Sequence, residues 1–256
     1  NGDQASGTSM VFASDAEGAH RVLMRAAYIK RSNIGFLGHS EGALIAPMVA
    51  ARNPDVAFVV MLAGPGVPGK DVILKQSEAI MKAMKASPAE IKKSRDSQLK
   101  IIAAVDAVVR KNPSNPDPNK LVAALKKETD ALIAALPLAD RIEAQKNRAM
   151  VDAQVQQFAT PWFRHFLNYD PRTALRKVTV PVLVMNGDKD LQVIASQNVP
   201  EVAKRLRIQT LRRAPGVVAL ACAIALALPM AAWAQQPPAS AGLAVTTPSG
   251  ALAAVD

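Results

Sequence analysis

The fold is decided by residues 33–52, which read Asn-Ile-Gly-Phe-Leu-Gly-His-Ser-Glu-Gly-Ala-Leu-Ile-Ala-Pro-Met-Val-Ala-Ala-Arg. The apolar run at 33–37 predicts a β-strand, and the Ala-rich stretch at 42–52 predicts a helix. A sharp turn around Ser40 joins the two. Because a parallel strand is usually followed by a crossover helix, this strand–turn–helix unit indicates an α/β architecture.

The sequence on either side extends this pattern. Apolar residues at mixed three and four spacing predict a helix over 11–29, entered at Ser14 and Asp15. Continuous apolar runs at 56–63 and 180–186 predict two more strands, of the kind that is buried on both faces of a parallel sheet.

Helices fill the long stretch between the second and third strands. We predict one helix over 71–85 and another that begins at a capping box formed by Ser87 and Glu90. Two more helices are predicted after the proline-rich loop at 112–119. A helical insert between two core strands indicates a lid over the edge of the sheet.

The turn contains the pattern Gly-x-Ser-x-Gly, at Gly38, Ser40 and Gly42. A serine on such a strained turn projects its hydroxyl from the edge of the sheet and can act as a nucleophile. We expect both glycines to leave room for the strand and the helix to approach closely. We expect the backbone N–H of Glu41 to stabilise an oxyanion at the helix N-terminus. An ordinary Gly-Ser turn is the alternative, and the flanking strands and helix disfavour it.

A second glycine motif at 64–69, Gly-Pro-Gly-Val-Pro-Gly, fits the dinucleotide fingerprint Gly-x-Gly-x-x-Gly. Pro65 and Pro68 lack the N–H groups that such a loop directs at a pyrophosphate. A Lys-bearing helix follows, with no strand that ends in a ribose-binding acid. The sequence therefore predicts a hinge into the lid rather than a nucleotide site.

A serine nucleophile needs a base that an acid orients, and with this type of turn the acid follows a late strand. The loop at 186–190 follows the third predicted strand and offers two carboxylates, Asp188 and Asp190. Asp190 lies further out on the loop and is the predicted acid. Ordinary turn residues are the alternative for both.

Four blocks of this sequence resemble bacterial α/β-hydrolases of the serine aminopeptidase-like and acyl-ester hydrolase group. The blocks are 38–47, 62–69, 161–164 and 181–193, and the resemblance spans residues 7–206 or so. It implies a partial α/β-hydrolase fold, in which a mostly parallel sheet is flanked by helices and carries a helical lid insert. It also implies Ser40 as the nucleophile and Asp190 as the acid that orients a histidine.

The same resemblance implies parts that we expect this chain to lack. Members of the group begin with strands that supply a second oxyanion N–H, and they end with a loop that carries the catalytic histidine. Nothing before Asn1 provides those strands, and no histidine follows Asp190. We therefore expect a core truncated at both ends, weak or inactive as given, because the Ser40 proton has no base to receive it.

The chain has three histidines, and the catalytic histidine is left unassigned among them. His39 lies in the turn and is expected to point away from the site, and His20 belongs to the first helix. His165 precedes the acid, which is the wrong order for this type of triad. Its place at the lid boundary could bring it near the site, but packing in the lid is the favoured role, as it is for Trp162 and Phe163.

The chain carries 31 Lys and Arg against 21 Asp and Glu, a formal charge of +10 at pH 7. Such a charge suits nucleic acid, an anionic membrane or an acidic substrate as partner. The segment 67–165 holds 17 basic and 11 acidic residues, which alternate with apolar residues at helical spacing. Since only 4% of the chain is aromatic and able to stack on bases, a solvated helix face is favoured and no nucleic-acid partner is expected.

The expected partner is instead a small-molecule acyl substrate, with no cofactor. Cys222 is the single cysteine, which excludes an internal disulfide and a multi-cysteine metal site. Three scattered histidines do not make a metal site either, so no metal is expected. An exposed sheet edge is the predicted surface for formation of a homo-oligomer.

The C-terminal region breaks from this composition. Arg212 and Arg213 precede an apolar run at 217–234 that ends in Ala-Trp-Ala, the three-part pattern of a secretory signal peptide. A signal peptide cannot work at this end of a chain, so we favour the start of another reading frame or gene copy joined to the hydrolase. A buried helix and a membrane anchor are the alternatives for 217–234. The parent enzyme is predicted to be periplasmic or secreted.

The predicted domains are the core with the turn at 1–66, the lid at 67–165, the core continuation with the acid loop at 166–208 and the signal-like tail at 209–256. The predicted function is a serine hydrolase that acts on an ester, thioester or amide through an acyl-enzyme on Ser40. The alternative is a non-catalytic binding or membrane-associated protein that keeps the fold.

Overall fold

Three short strands form one parallel sheet. A computed structural model describes residues 7–111 and 117–206, and in that part of the chain the strands are β1 Phe36–His39, β2 Val59–Leu62 and β3 Val182–Met185. Their order in the sheet is β1-β2-β3. Since His39 is paired with Leu62 and Leu62 with Met185, the carboxyl ends of all three strands meet at one edge.

Helices make up most of the remaining described chain. In chain order they are α1 Ser9–Leu23, α2 Glu41–Ala50, α3 Gly69–Ala83, α4 Pro88–Val109, α5 Pro118–Ala134, α6 Leu138–Lys146, α7 Arg148–Phe158, α8 Pro161–Asn168, α9 Arg172–Leu175 and α10 Ala195–Arg205. Helix α2 contacts β1, β2 and α1. A helix-rich chain with a small parallel sheet confirms the α/β fold class predicted from the sequence.

The first helix begins earlier than predicted. Thr8 is its N-cap, because the Thr8 backbone is extended and its hydroxyl accepts a hydrogen bond from the Val11 N–H at 3.4 Å. The predicted entry at Ser14 is wrong. Ser14 lies inside the helix, where its hydroxyl donates to the Met10 carbonyl at 3.2 Å. The helix ends at Leu23, before the predicted position 29.

The three strands are shorter than their predicted runs, and the first one lies later in the chain. A 3₁₀ turn at Arg31–Asn33 occupies the start of the predicted first strand, so β1 begins at Phe36 and continues through Gly38 to His39. β2 and β3 each cover only four residues inside the predicted run. The strand order along the chain is as predicted.

The insert is helical, as predicted, but it is divided more finely. The capping box at the start of α4 is confirmed: the Ser87 hydroxyl accepts from the Glu90 N–H at 3.3 Å, and the Ser87 N–H donates to the Glu90 carboxylate at 2.7 Å. Five helices, α5 to α9, lie between the loop and β3, so the prediction of two is wrong. Pro137 and the Thr160-Pro161 cap divide a stretch whose apolar pattern reads as continuous.

Buried apolar side chains form two clusters. The core cluster lies around α2 and the sheet and includes Ala13, Leu44, Val49, Met61, Leu175 and Val202. The second cluster lies in the helical insert, joins α4, α5, α7 and α8, and includes Ile101, Val105, Leu121, Leu125, Phe158, Phe163 and Leu167. Helix α8 crosses the predicted lid boundary at residue 165. The domain boundaries themselves stay predictions.

The signal-like tail and Cys222 lie outside the described residues. Within residues 7–111 and 117–206, no helix combines the length and the apolar character needed to cross a membrane. The predicted membrane association of 217–234 therefore stays a prediction.

Candidate active site

Ser40 occupies a strained turn between β1 and α2. Its backbone has φ 54° and ψ −117°, a region that costs a non-glycine residue about 1–3 kcal/mol. Two hydrogen bonds fix it: the Ser40 N–H donates to the Leu62 carbonyl at 2.9 Å, and the Ser40 carbonyl accepts from the Ala43 N–H at 3.0 Å. Ala63, which follows β2 as Ser40 follows β1, also has a positive φ of 47°. The backbone is thus strained at the carboxyl edge of both strands.

The two glycines of the turn play different parts. A Cβ on Gly38 would overlap the carbonyl of Gly42, so the close approach of β1 and α2 requires glycine at position 38. A Cβ on Gly42 would meet no atom within 4 Å. The expectation that both glycines make room is right for Gly38 and wrong for Gly42, because position 42 points into open space.

Glu41 is the first residue of α2. Its backbone N–H belongs to the first turn, whose N–H groups have no partner within the helix and lie at the positive end of the helix dipole. Its side chain was missed by the sequence analysis. The carboxylate Oε1 accepts hydrogen bonds from the Ser9 hydroxyl at 2.7 Å and from the Trp162 indole N–H at 2.8 Å.

The acid loop follows β3 at the same edge of the sheet. Asp190 is half-buried, and its Oδ1 accepts from the backbone N–H groups of Gln192 at 2.8 Å and Val193 at 3.1 Å. Asp188 is exposed. Since β2 lies between β1 and β3, Ser40 and the start of this loop are separated by two strand spacings, about 10 Å. A histidine ring placed between them is the usual way to bridge such a gap.

The glycine motif at 64–69 connects β2 to α3, and its glycines allow close packing against other parts of the chain. The Gly66 N–H donates to Oδ1 of Asn198 at 2.8 Å, and Asn198 is completely buried on α10. A Cβ on Gly69 would overlap the carbonyl of Phe166, so the start of α3 and the end of α8 lie against each other. The Gly66 N–H is thus already hydrogen-bonded within the chain, and the hinge into the lid stays a prediction.

The three histidines are in different surroundings. His20 is buried on α1 and stacks on Phe36 with ring centroids 5.5 Å apart. His39 is exposed. His165 is half-buried on α8 and stacks on Tyr169 at 5.3 Å. Burial lowers the pKa of His165, and the nearby Glu41 carboxylate opposes that shift.

Of the residues predicted for the site, the structure brings Ser40, the Glu41 N–H and the acid loop to one edge of the sheet. In the part of the chain that the structure describes, neither His20 nor His165 is hydrogen-bonded to the Ser40 hydroxyl or to Asp190. His165 lies close enough to Glu41 for the carboxylate to influence its pKa. The catalytic base therefore stays unassigned.

A family model described as "BAAT / Acyl-CoA thioester hydrolase C terminal" matches residues 16–135, just under half of the chain. This stretch contains Ser40, the strands β1 and β2, the glycine motif at 64–69 and the helices α3 and α4. The match identifies the chain as hydrolase-like. It supports a hydrolase acting on a thioester or ester, on a partial α/β-hydrolase fold. The hydrolase-like stretch ends before Asp190. A comparison with curated proteins finds no match to the chain.

Proposed function

We propose that this hydrolase-like chain is a serine hydrolase whose Ser40 attacks the carbonyl carbon of an ester, thioester or amide. The observation that carries the proposal is the backbone of Ser40, held at positive φ between a parallel strand and the N-terminus of a helix. A serine in this conformation presents its hydroxyl outside the strand ends, where a substrate carbonyl has access. The expected oxyanion donor is the N–H of the next residue, Glu41.

The proposed reaction proceeds through an acyl-enzyme. Ser40 Oγ bonds to the carbonyl carbon while its proton passes to a base, and the carbonyl oxygen gains negative charge beside the Glu41 N–H. The intermediate expels an alcohol, thiol or amine, which takes the proton. Water then cleaves the Ser40 ester by the same route and releases the acid. Asp190 is the proposed acid that orients the base, supported by the two backbone N–H groups that fix its Oδ1.

Among the three acyl classes, the description of the matching family favours a thioester of the acyl-CoA kind. A thioester needs less transition-state stabilisation than an amide because a thiolate is the better leaving group. The bacterial, serine aminopeptidase-like placement is part of this proposal and is supported by the residue blocks around Ser40, the hinge and the acid loop.

The test is acyl transfer to residue 40. The chain is incubated with p-nitrophenyl acetate or acetyl-CoA, quenched in acid and digested with trypsin, which yields the peptide 32–52. Tandem mass spectrometry separates acetylation of Ser40 from that of Ser32 in the same peptide. We expect the acetyl group to accumulate slowly on Ser40, because no base is assigned to activate it, and not to appear on this peptide in Ser40→Ala. Acetylation of Ser32 alone, or an equal yield in the variant, would contradict the proposal.

A further inference from the structure

Three helices meet at the carboxylate of Glu41. Helix α2 provides the carboxylate itself, α1 provides the hydroxyl of Ser9 at 2.7 Å, and α8 provides the indole N–H of Trp162 at 2.8 Å. Ser9 is completely buried, and Glu41 and Trp162 are half-buried. Trp162 lies 121 positions along the chain from Glu41. The Glu41 carboxylate thus connects α1, at the start of the core, to α8, at the end of the predicted lid.

These hydrogen bonds are of the stronger kind. A carboxylate acceptor shortens a hydrogen bond and about doubles its strength relative to a neutral acceptor. A negative charge in the first turn of a helix is further stabilised by the helix dipole. Half-burial limits the competition from water. Glu41 is therefore held in one position, one residue after Ser40.

A chain of contacts runs from Glu41 to the two points where the chain enters and leaves the predicted lid. The Trp162 ring stacks on Phe166 with centroids 5.7 Å apart and planes 11° apart. The carbonyl of Phe166 packs against Gly69, where α3 begins. Movement of α8 away from Glu41 would consequently disturb the crossing point through which the lid is attached.

We propose that Glu41 is a positioning residue that couples the seating of the lid to the nucleophile turn. By holding α8 against the first turn of α2, it fixes the turn that carries Ser40 when the lid is in place. The functional meaning of this coupling rests on the proposed role of Ser40. The coupling between the position of α8 and the turn that carries Ser40 can be measured without substrate.

The test uses a thiol as reporter at position 40. Ser40→Cys combined with Cys222→Ser leaves a single thiol, since Cys222 is the chain's single cysteine. Its alkylation by iodoacetamide needs neither a catalytic base nor an acyl substrate. Trp162→Phe is then added, which keeps an aromatic ring on Phe166 but removes the donor to Glu41. Hydrogen–deuterium exchange of the α8 peptide is measured in the same proteins.

We expect Trp162→Phe to raise both the alkylation rate of the thiol at position 40 and the exchange rate of α8 roughly tenfold, as for loss of one hydrogen bond to a charged group. Glu41→Ala should do at least as much. Glu41→Gln should do less, because its amide oxygen can still accept both bonds. Asp55→Asn, an exposed change between α2 and β2, is the matched control and should alter neither rate.

The proposal is overturned if α8 exchanges faster in Trp162→Phe while the thiol at position 40 reacts at its original rate, because the contact would then be structural only. It is also overturned if Asp55→Asn raises both rates equally. Should Glu41→Ala fail to fold, Trp162→Phe and Ser9→Ala carry the test. Failure of the proposed function is distinct: residue 40 would then not be acylated by substrate, while the thiol rates would still respond to Trp162→Phe.

Discussion

At the scale of single residues, position 40 keeps an unfavourable backbone conformation because its neighbours hold it there. The Ser40 N–H is bonded to the neighbouring strand and its carbonyl to the first turn of α2. Gly38 lets that helix approach the strand. The strain is therefore imposed by the sheet and the helix together, which is the way a reactive side chain is kept in a defined place.

Asp190 offers a test that separates fold from chemistry. Asp190→Asn keeps an oxygen that can accept from Gln192 and Val193, so the acid loop should remain folded. In a longer parent enzyme that contains the relay histidine, Asp190→Asn should lower kcat by about 10⁴, because the histidine would take the wrong tautomer. Asp188→Asn, on the exposed neighbour, should change kcat little. Steady-state kinetics of the two variants would contradict the assignment if Asp188→Asn were the more damaging.

His165 predicts a pH dependence of stability. Burial lowers its pKa in the folded state below the ordinary value of about 6.5, so the unfolded chain binds the proton more tightly. The free energy of unfolding should therefore fall as the pH drops through about 6.5. His165→Gln should flatten this part of the profile, measured by urea unfolding at several pH values. A profile in the variant parallel to that of the wild type would show that His165 does not contribute.

At the scale of elements, α10 fixes the hinge through one side chain. Asn198 accepts from the Gly66 N–H, and its own Nδ2 donates to the Ile194 carbonyl at 3.0 Å. Because Asn198 is fully buried, water cannot take its place when the side chain is removed. The connection between β2 and α3, the predicted hinge, is thus held by α10, which follows the acid loop.

Asn198→Ala should accordingly reduce the free energy of unfolding by about 1–3 kcal/mol, the usual result of leaving a buried donor without its acceptor. Gln197→Ala is the control, since its bond to the Asp71 carbonyl at 3.0 Å is half-buried and open to replacement by water. Chemical denaturation measures both. A loss in Gln197→Ala as large as in Asn198→Ala would argue against a special role for the buried bond.

Local signals predicted local structure well. The capping box at Ser87, the glycine at 38 and the strand after the turn each follow from neighbouring residues, and the structure contains them. The helix start at Thr8 was missed because Ser14 has the same capping chemistry, and only packing decides which residue leaves the helix. The bonds from Glu41 to Trp162 and from Gly66 to Asn198 join distant parts of the chain, so no sequence spacing reveals them.

At the scale of the whole molecule, many charged side chains on the described helices are paired with opposite charges. Lid charges form pairs along and between helices, including Lys92 with Asp96 at 2.6 Å and Arg148 with Asp130 at 2.6 Å. Such exposed pairs are typical of a solvated face and contribute only about 0–1 kcal/mol each. The expectation of a solvated helix face, with no nucleic-acid partner, stays a prediction.

Turnover by the 256-residue chain should be weak. In the described part of the chain, neither His20 nor His165 is hydrogen-bonded to Ser40, so we expect no base to activate the serine. Initial rates on p-nitrophenyl acetate should therefore be close to the uncatalysed rate and unchanged in His165→Ala. Turnover of ordinary enzymatic size that disappears in both Ser40→Ala and His165→Ala would instead assign the base to His165.

Irreversible capture of Ser40 by a phosphonylating reagent tests whether its hydroxyl is nucleophilic. The chain is incubated with a fluorophosphonate, with and without added imidazole as an external base, and the labelled residue is identified by mass spectrometry of the peptide 32–52. Capture accumulates even when activation is weak. We predict label on Ser40, faster labelling with imidazole and no label on this peptide in Ser40→Ala. Label on another residue, or equal labelling of Ser40→Ala, would contradict the account.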